Sequence, residues 1–304
     1  MNREWKSVIA MAAGVVVIAV GVGVNAQNRD MSEVEIKAEK LTDDLYMLTG
    51  MGGNIGLSVG TDGALLIDDQ FAPLSDKIKA AVGKVTDRPI RMIVNTHYHG
   101  DHVGGNDNFG KAGAVIIAQD NVRLRLAAPM VRGRDTIPAT PAAGLPVVTF
   151  AHDLTLHLNG REIQILHMPH AHTDGDAVIF FQGANVVHMG DTFFNGLYPR
   201  IDLGGGGSIA GMIAATEAVI ARTDDKTKII PGHGPLGDRA SLRAFHDMLV
   251  GSRDAVQKLV AAGKSRDEAL AAKPTAKWDE TWGKGFMKPD AYAGTIYDDL
   301  SKKN

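Results

Sequence analysis

The chain contains no cysteine. That absence removes disulfides, thiolate metal ligands, a thiol nucleophile and a lipidated N-terminal cysteine together. Long basic runs are missing too: 32 Lys and Arg stand against 35 Asp and Glu, for a formal net charge of -3. A phosphate backbone is bound by clustered cations, so nucleic acid is not expected as a partner. What remains is 44% hydrophobic over 304 residues, enough to bury a large layered core in one or two domains.

One long apolar stretch stands apart, from Val8 to Val24, preceded by Arg3 and Lys6 and ending in Val24-Asn25-Ala26. Residues 1–26 read as a secretory signal peptide. The alternative is an uncleaved anchor, since the run is long for a signal core but glycine-rich and short for a full span. Both place residues 27–304 outside the cytoplasm, periplasmic or secreted, and only the second gives the chain a membrane partner.

From Val34 onward, short β-rich runs alternate with turn signals at Leu45–Thr49, Ile55–Val59 and Ala64–Ile67, which predicts an antiparallel meander. A helix is predicted over Pro73–Lys84, followed by an apolar strand, Ile90–Asn95, that runs into Thr96-His97-Tyr98-His99-Gly100-Asp101-His102. Alternating Leu154, Leu156 and Leu158, then Asn159-Gly160, then Ile163 and Ile165 spell a hairpin. Strands at Ala177–Phe181 and Val186–Met189 lead into Gly190-Asp191; a helix from about Ser208 to Ala221 precedes strand Lys228–Ile230 and Pro231-Gly232-His233-Gly234. From about residue 237 the three- and four-residue spacing of Leu242, Phe245, Leu249, Val256 and Leu259 predicts a helical C-terminal segment, with a capping box at Ser265 and Glu268. Each half thus holds a strand ending in acid, a helix and a strand ending in His. That echo predicts one α/β domain, residues 27–304, built as an αββα four-layer sandwich.

Three segments keep two readings each. Met51-Gly52-Gly53-Asn54 is a mobile flap or a tight turn, and Gly204–Gly207 a substrate approach to a helix N-terminus or a plain flexible connection. Residues 127–148, with four prolines, are a lid or a surface excursion.

Two histidines spaced i, i+2 at a strand end project to one side, while an Asp and a His on the following turn can face a second point ~3.5–4 Å away. His97-x-His99-x-Asp101-His102 therefore offers ligands to two metals. Leaving such groups buried and unpaired would be costly, so packing alone does not account for three His and an Asp within six residues. Nitrogen and oxygen donors without sulfur suit zinc, with iron or manganese left open.

His97-Tyr98-His99-Gly100-Asp101-His102 resembles the signature of the metallo-β-lactamase superfamily. The likeness extends over about residues 40–235 through Leu65-Leu66-Ile67-Asp68, Ala171-His172-Thr173-Asp174-Gly175-Asp176, Gly190-Asp191-Thr192 and Pro231-Gly232-His233-Gly234, in the family's order. It implies one metal on His97, His99 and His172, a second on Asp101, His102 and His233, and Asp191 bridging both. It further implies Asp68 as the acid that fixes the His loop, and two zinc ions with a metal-bound hydroxide that attacks the carbonyl of a small-molecule substrate. Asp101 would orient that hydroxide and accept its proton. His170 competes with His172; His152, His157, His167, His188 and His246 fit no motif and read as surface or satisfied residues.

The fold alone does not choose the substrate. The ligand set resembles that of glyoxalase II and the lactonases, since an acid stands at Asp191 where one class of zinc β-lactamase has cysteine. The glutathione-binding pattern of glyoxalase II is not matched in Leu236–Asn304. Phe194 stands where quorum-quenching lactonases have Tyr and β-lactamases have a carboxylate-gripping Lys; Arg200 or an Arg of segment 123–134 could substitute. The expectation is an exported hydrolase of activated cyclic amide, ester or thioester carbonyls with modest β-lactamase activity. The alternatives are a lactone or thioester hydrolase without it, or an iron enzyme like the persulfide dioxygenases.

Overall fold

β-Strands with no polar face mark the middle of the molecule. The computed structural model describes residues 30–132 and 135–302; the expected signal peptide lies outside them. Strands β2 (Leu45–Thr49), β3 (Ile55–Gly60) and β4 (Gly63–Ile67) form the antiparallel meander expected from the turn signals, and β1 (Lys37–Lys40), which was not expected, pairs antiparallel with β2 at its edge. After helix α1 (Ser75–Gly83), strand β5 (Ile90–Val94) pairs parallel to β4. Short helices α2 (Gly100–Val103) and α3 (Asn106–Lys111) lead to β6 (Val115–Gln119), parallel to β5. Helix α4 (Asp120–Leu126) then precedes a separate hairpin, β7 (Met130–Arg132) with β8 (Asp135–Ile137), before β9 (Val148–Phe150) completes a seven-stranded sheet beside β6.

The second sheet has five strands in sequence order: β10 (Asp153–Leu158), β11 (Arg161–Met168), β12 (Asp176–Phe181), β13 (Val186–His188) and β14 (Lys228–Ile230). The β10–β11 turn is the expected Asn159-Gly160, both with positive φ (55° and 70°), as a two-residue type I′ hairpin requires. Helix α5 (Ile209–Ile220) separates β13 from β14, which pair in parallel. Helices α6 (Arg239–Ala261), α7 (Arg266–Ala271), α8 (Ala276–Trp282) and α9 (Pro289–Leu300) make up the C-terminal segment, and the Ser265–Glu268 capping box opens α7.

Alternation assigns the central strands β4 and β12 two buried faces. In β4, Leu65 and Ile67 face the other sheet while Ala64 and Leu66 face α1. In β12, Ala177, Ile179 and Phe181 meet them from the opposite sheet, and Val178 and Phe180 pack under the cluster holding Leu242, Phe245 and Ile296 of α6 and α9. Continuous apolar runs are what a sheet covered on both sides demands. The result is the helix–sheet–sheet–helix sandwich predicted from the sequence, with the inter-sheet core at its centre. Among the described residues no helix is long and apolar enough to cross a membrane.

Candidate metal centre

Loops at one end of both sheets converge on a single cluster of acids and histidines. The first sheet contributes the turn after β5, where His97 is buried, His99 is the N-cap of α2, and Asp101 and His102 lie on its single turn. From the second sheet come His172 after β11, Asp191 in a helical turn after β13, and His233 after β14.

The structure brings all seven expected residues together in two adjoining groups: His97, His99, His172 and Asp191, and beside them Asp101, His102 and His233. In the first, His99 Nδ1 lies 2.8 Å from His172 Nε2 and 3.1 Å from His97 Nε2. Asp191 Oδ2 faces that group, 3.4 Å from His172 Nε2 and 3.8 Å from His97 Nε2. In the second, His233 Nε2 lies 3.4 Å from His102 Nε2 and 3.3 Å from Asp101 Oδ2. Asp191 Oδ1 faces this one, 3.1 Å from His102 Nε2 and 3.5 Å from His233 Nε2. The two oxygens of one carboxylate are thus divided between the groups.

Outer partners select which ring nitrogen faces inward. Asp68, buried directly after β4, accepts hydrogen bonds from His102 Nδ1, Thr96 N and Thr96 Oγ1, each at 2.7 Å. With its proton directed at Asp68, the Thr96 hydroxyl accepts from His97 Nδ1 at 3.0 Å. His172 Nδ1 donates to the Arg200 carbonyl at 2.6 Å, and His99 Nε2 to Asp202 Oδ2 at 2.8 Å. In each of these four rings the anchored nitrogen leaves the other one facing the cluster, as in metal-binding histidines. Lone pairs this close repel one another unless a cation lies between them. Asp191 Oδ1 is buried with no aligned donor. Nitrogen and carboxylate donors with orphaned lone pairs fit a divalent ion in each group.

Charge is distributed unevenly. Burial keeps His97 well below its ordinary pKa and lowers His172 to about 3, so both are neutral. Burial opposes charge on His102 and His233 as well, but nearby carboxylates, Asp191 foremost, outweigh it; His102 is held well above the usual range and His233 at about 9. Against the same burial, surrounding histidines keep Asp101 and Asp191 below the ordinary carboxylate range. Asp202 is also depressed, its burial overcome by hydrogen bonds from His99 and from Tyr98 Oη at 2.5 Å.

The glycines of both ambiguous loops serve close packing. A Cβ on Gly53 would collide with the His102 ring, and one on Gly207 with the His172 carbonyl. Gly53 N bonds to Asp101 O, and Asn54 ties the same loop to residues 231–234 through Gly232 O, Pro231 O and Gly234 O. Segment 51–54 is thus a pinned turn, and 204–207 wraps the His172 loop, with Asp174 N bonded to Gly205 O and Gly207 N to Asp202 O. Within 127–148, Met130 and Leu145 pack onto the Tyr98, Val103 and Leu126 cluster.

His170, the competing ligand, is exposed and bonds to Gly206 O, outside both groups. His188 is satisfied in the core between Asn54 O and Gly190 N. Arg125 is committed to Asp174 at 2.8 and 2.6 Å and Arg123 to Pro146 O, so neither is a free substitute for the missing lysine. At that position Phe194 is fully buried and stacks on the His233 ring, centroids 5.3 Å apart and planes at 18°. Sequence reasoning missed Thr96 and Asp202. Thr96 adjoins the His cluster, and that adjacency was a usable signal; Asp202 lies 30 residues beyond His172 with no spacing that links it to His99.

Paired nitrogen and oxygen donor sets at the loop end of two facing sheets define a hydrolase-like metal centre. The model of the metallo-beta-lactamase superfamily matches residues 48–233, and the chain belongs to that superfamily. It is 28% identical over 176 residues to a hydroxyacylglutathione hydrolase of Polaromonas sp., covering 57% of this chain and 58% of that protein. A hydroxyacylglutathione hydrolase of Pelagibacter ubique is 27% identical over 159 residues, 52% of this chain and 57% of that one. The 2,4-dinitroanisole O-demethylase subunit alpha of Nocardioides sp. is 24% identical over 140 residues, 45% and 40% of the two chains. The chain thus spans roughly 40–58% of the length of these relatives. Among solved structures, a metallo-beta-lactamase from Pontibacter korlensis has a TM-score of 0.59 at 18% identity, covering 71% of this chain and 99% of that one. A sec-alkylsulfatase from Pseudomonas sp. has a TM-score of 0.67 at 17% identity, covering 86% and 50%. Both are likenesses of fold.

Proposed function

We propose that the chain is an exported binuclear zinc hydrolase that cleaves activated carbonyls: cyclic amides, esters and thioesters. The observation that carries this reading is the division of the Asp191 carboxylate between two otherwise complete donor groups. Two divalent ions, when bound, lower the pKa of a water from ~15.7 to about 7 and draw charge from a carbonyl oxygen. The protein's own contribution is placement. Asp68, Thr96, Asp202 and the Arg200 carbonyl hold the imidazoles in orientation. Asp101, its side chain 30% exposed, turns Oδ2 toward His102 and His233 and leaves Oδ1 to orient the attacking water and take its proton.

Phe194 offers no charge to a substrate carboxylate. Losing such a charge-assisted contact costs on the order of 1.5–3 kcal/mol, about 10- to 150-fold in rate, so β-lactam hydrolysis should be measurable but weak. Thioester hydrolysis draws support from the hydroxyacylglutathione hydrolases among the relatives. With saturating zinc, a panel of penicillin, cephalosporin, carbapenem, lactone and thioester substrates should show turnover of at least one ester or thioester and slow lactam opening. Rapid thioester or lactone turnover with no lactam hydrolysis above a metal-stripped control would remove β-lactams from the substrate range.

Export is the second part of the proposal, motivated by Val24-Asn25-Ala26. Mass spectrometry of the exported protein should find Gln27 as its first residue; an intact Met1 would establish an anchor instead.

A further inference from the structure

Phe286 is 59% exposed and is the one aromatic among the large hydrophobic side chains left exposed in the described residues. It sits in the linker Gly283-Lys284-Gly285-Phe286-Met287-Lys288 between α8 and α9, far in sequence from every metal-centre residue. In space its ring is 5.7 Å from that of His233, at 68°, and 6.1 Å from that of Phe194. The linker is anchored at several points. Trp282, buried before it, packs on Phe245 and accepts a hydrogen bond from Tyr198 N through its carbonyl, Gly285 lies against Leu197, and Met287 packs on the helical core. The ring is therefore held beside the second donor group with much of its surface in water. A single exposed apolar side chain is ordinary on a protein surface; what sets Phe286 apart is its place beside His233, where a ligand held at the donor groups would cover it.

Its surroundings narrow the ligand further. Phe194, fully buried and stacked on His233, lies behind the Phe286 ring, so the apolar surface offered beside His233 is that of Phe286 itself. Lys284 and Lys288 are exposed on either side of Phe286, and among the described residues neither has a carboxylate partner; Lys288 Nζ donates to the Lys284 carbonyl. The neighbourhood thus accepts an apolar group and tolerates negative charge beyond it, while disfavouring a cation.

We infer that Phe286 is the specificity-determining contact for the apolar acyl or aryl portion of the substrate, and that the enzyme selects carbonyl compounds with a medium-length apolar substituent over short or cationic ones. The inference rests on the carbonyl-hydrolase reading proposed above. The test compares wild type, Phe286→Ala and Phe286→Leu on p-nitrophenyl acetate, butanoate and octanoate, with zinc-loaded full-length protein. Wild-type kcat/KM should rise along the series. Phe286→Ala should lose about tenfold on octanoate with acetate unchanged, and Phe286→Leu should recover most of that loss.

Binding of octanoate and acetate to the metal-free protein, followed by calorimetry, gives a readout separate from turnover. Octanoate should bind wild type about tenfold more tightly than Phe286→Ala, and acetate should not distinguish them. Hydrolysis with equal losses on all three esters, or octanoate binding that is absent or indifferent to the substitution, overturns the role of Phe286 and leaves the hydrolase reading intact. If no ester or thioester is hydrolysed, the hydrolase reading falls. Octanoate binding that depends on Phe286 would in that case still establish the apolar site.

Discussion

Replacing Asp191 with alanine is expected to take bound zinc from about two ions per chain to below one after dialysis, with ester hydrolysis falling to the metal-stripped level. Among the described residues no other side chain is placed to face both groups: Oδ2 lies toward His97 and His172, and Oδ1 toward His102 and His233. His102→Ala is the matched control. Its Nε2 lies only in the second group, so that variant should retain about one ion. Elemental analysis of the two variants separates the outcomes, and two tightly held ions in Asp191→Ala would refute the bridging role.

The second large effect is a pH dependence that differs between the two groups. His233 is held at about 9 and His102 well above its ordinary value, because Asp191 and its neighbouring carboxylates outweigh burial. Both carry protons in the metal-free protein at neutral pH, and those protons must leave before an ion binds. Raised pKa values mean competition below about pH 9, so second-group affinity should increase with pH, by roughly ten- to a hundredfold per unit when one or two protons are displaced. His97 lies well below its ordinary value and His172 at about 3; both are already neutral and give up no proton to a metal between pH 6 and 8, so first-group affinity should rise less steeply with pH than second-group affinity. Competition titrations against a chelator at pH 6, 7 and 8 resolve the two sites. Parallel pH profiles would contradict this assignment of charge.

Legibility from sequence followed the physical role of each segment. β4 was readable because both its faces are buried, which leaves an unbroken apolar run from Ala64 to Ile67. β1 was not, because Lys37–Lys40 lies at the sheet edge with all four side chains exposed, and its pairing with β2 is made by backbone alone. β6 and the hairpin of β7 and β8 also escaped, the latter because proline-rich surroundings obscure a three-residue strand. At the site, His97, His99, Asp101 and His102 stand in one six-residue run that the sequence displays, whereas His172, Asp191 and His233 lie far apart in the chain and are linked to it by the family likeness. Their neighbours are selected by proximity across loops: Asp202 orients His99, the Arg200 carbonyl orients His172, and Phe286 lies beside His233. A backbone carbonyl has no residue identity to read, and Phe286 reaches His233 from a linker 53 positions later in the chain.

Each donor group draws on both sheets. His97 and His99 from the loop after β5 meet His172 and Asp191 from the other sheet, and Asp101 and His102 meet His233 and that same Asp191. Neither half of the sandwich owns a complete site. Ions in these positions would act as rivets across the seam between the sheets, present only when the halves are docked, and the work of capturing them would be drawn entirely from that docking. Metal affinity in this architecture therefore reports the integrity of the sandwich as directly as it reports the chemistry of the ligands, and a change that loosened the inter-sheet core far from any histidine would register first as a weaker grip on zinc.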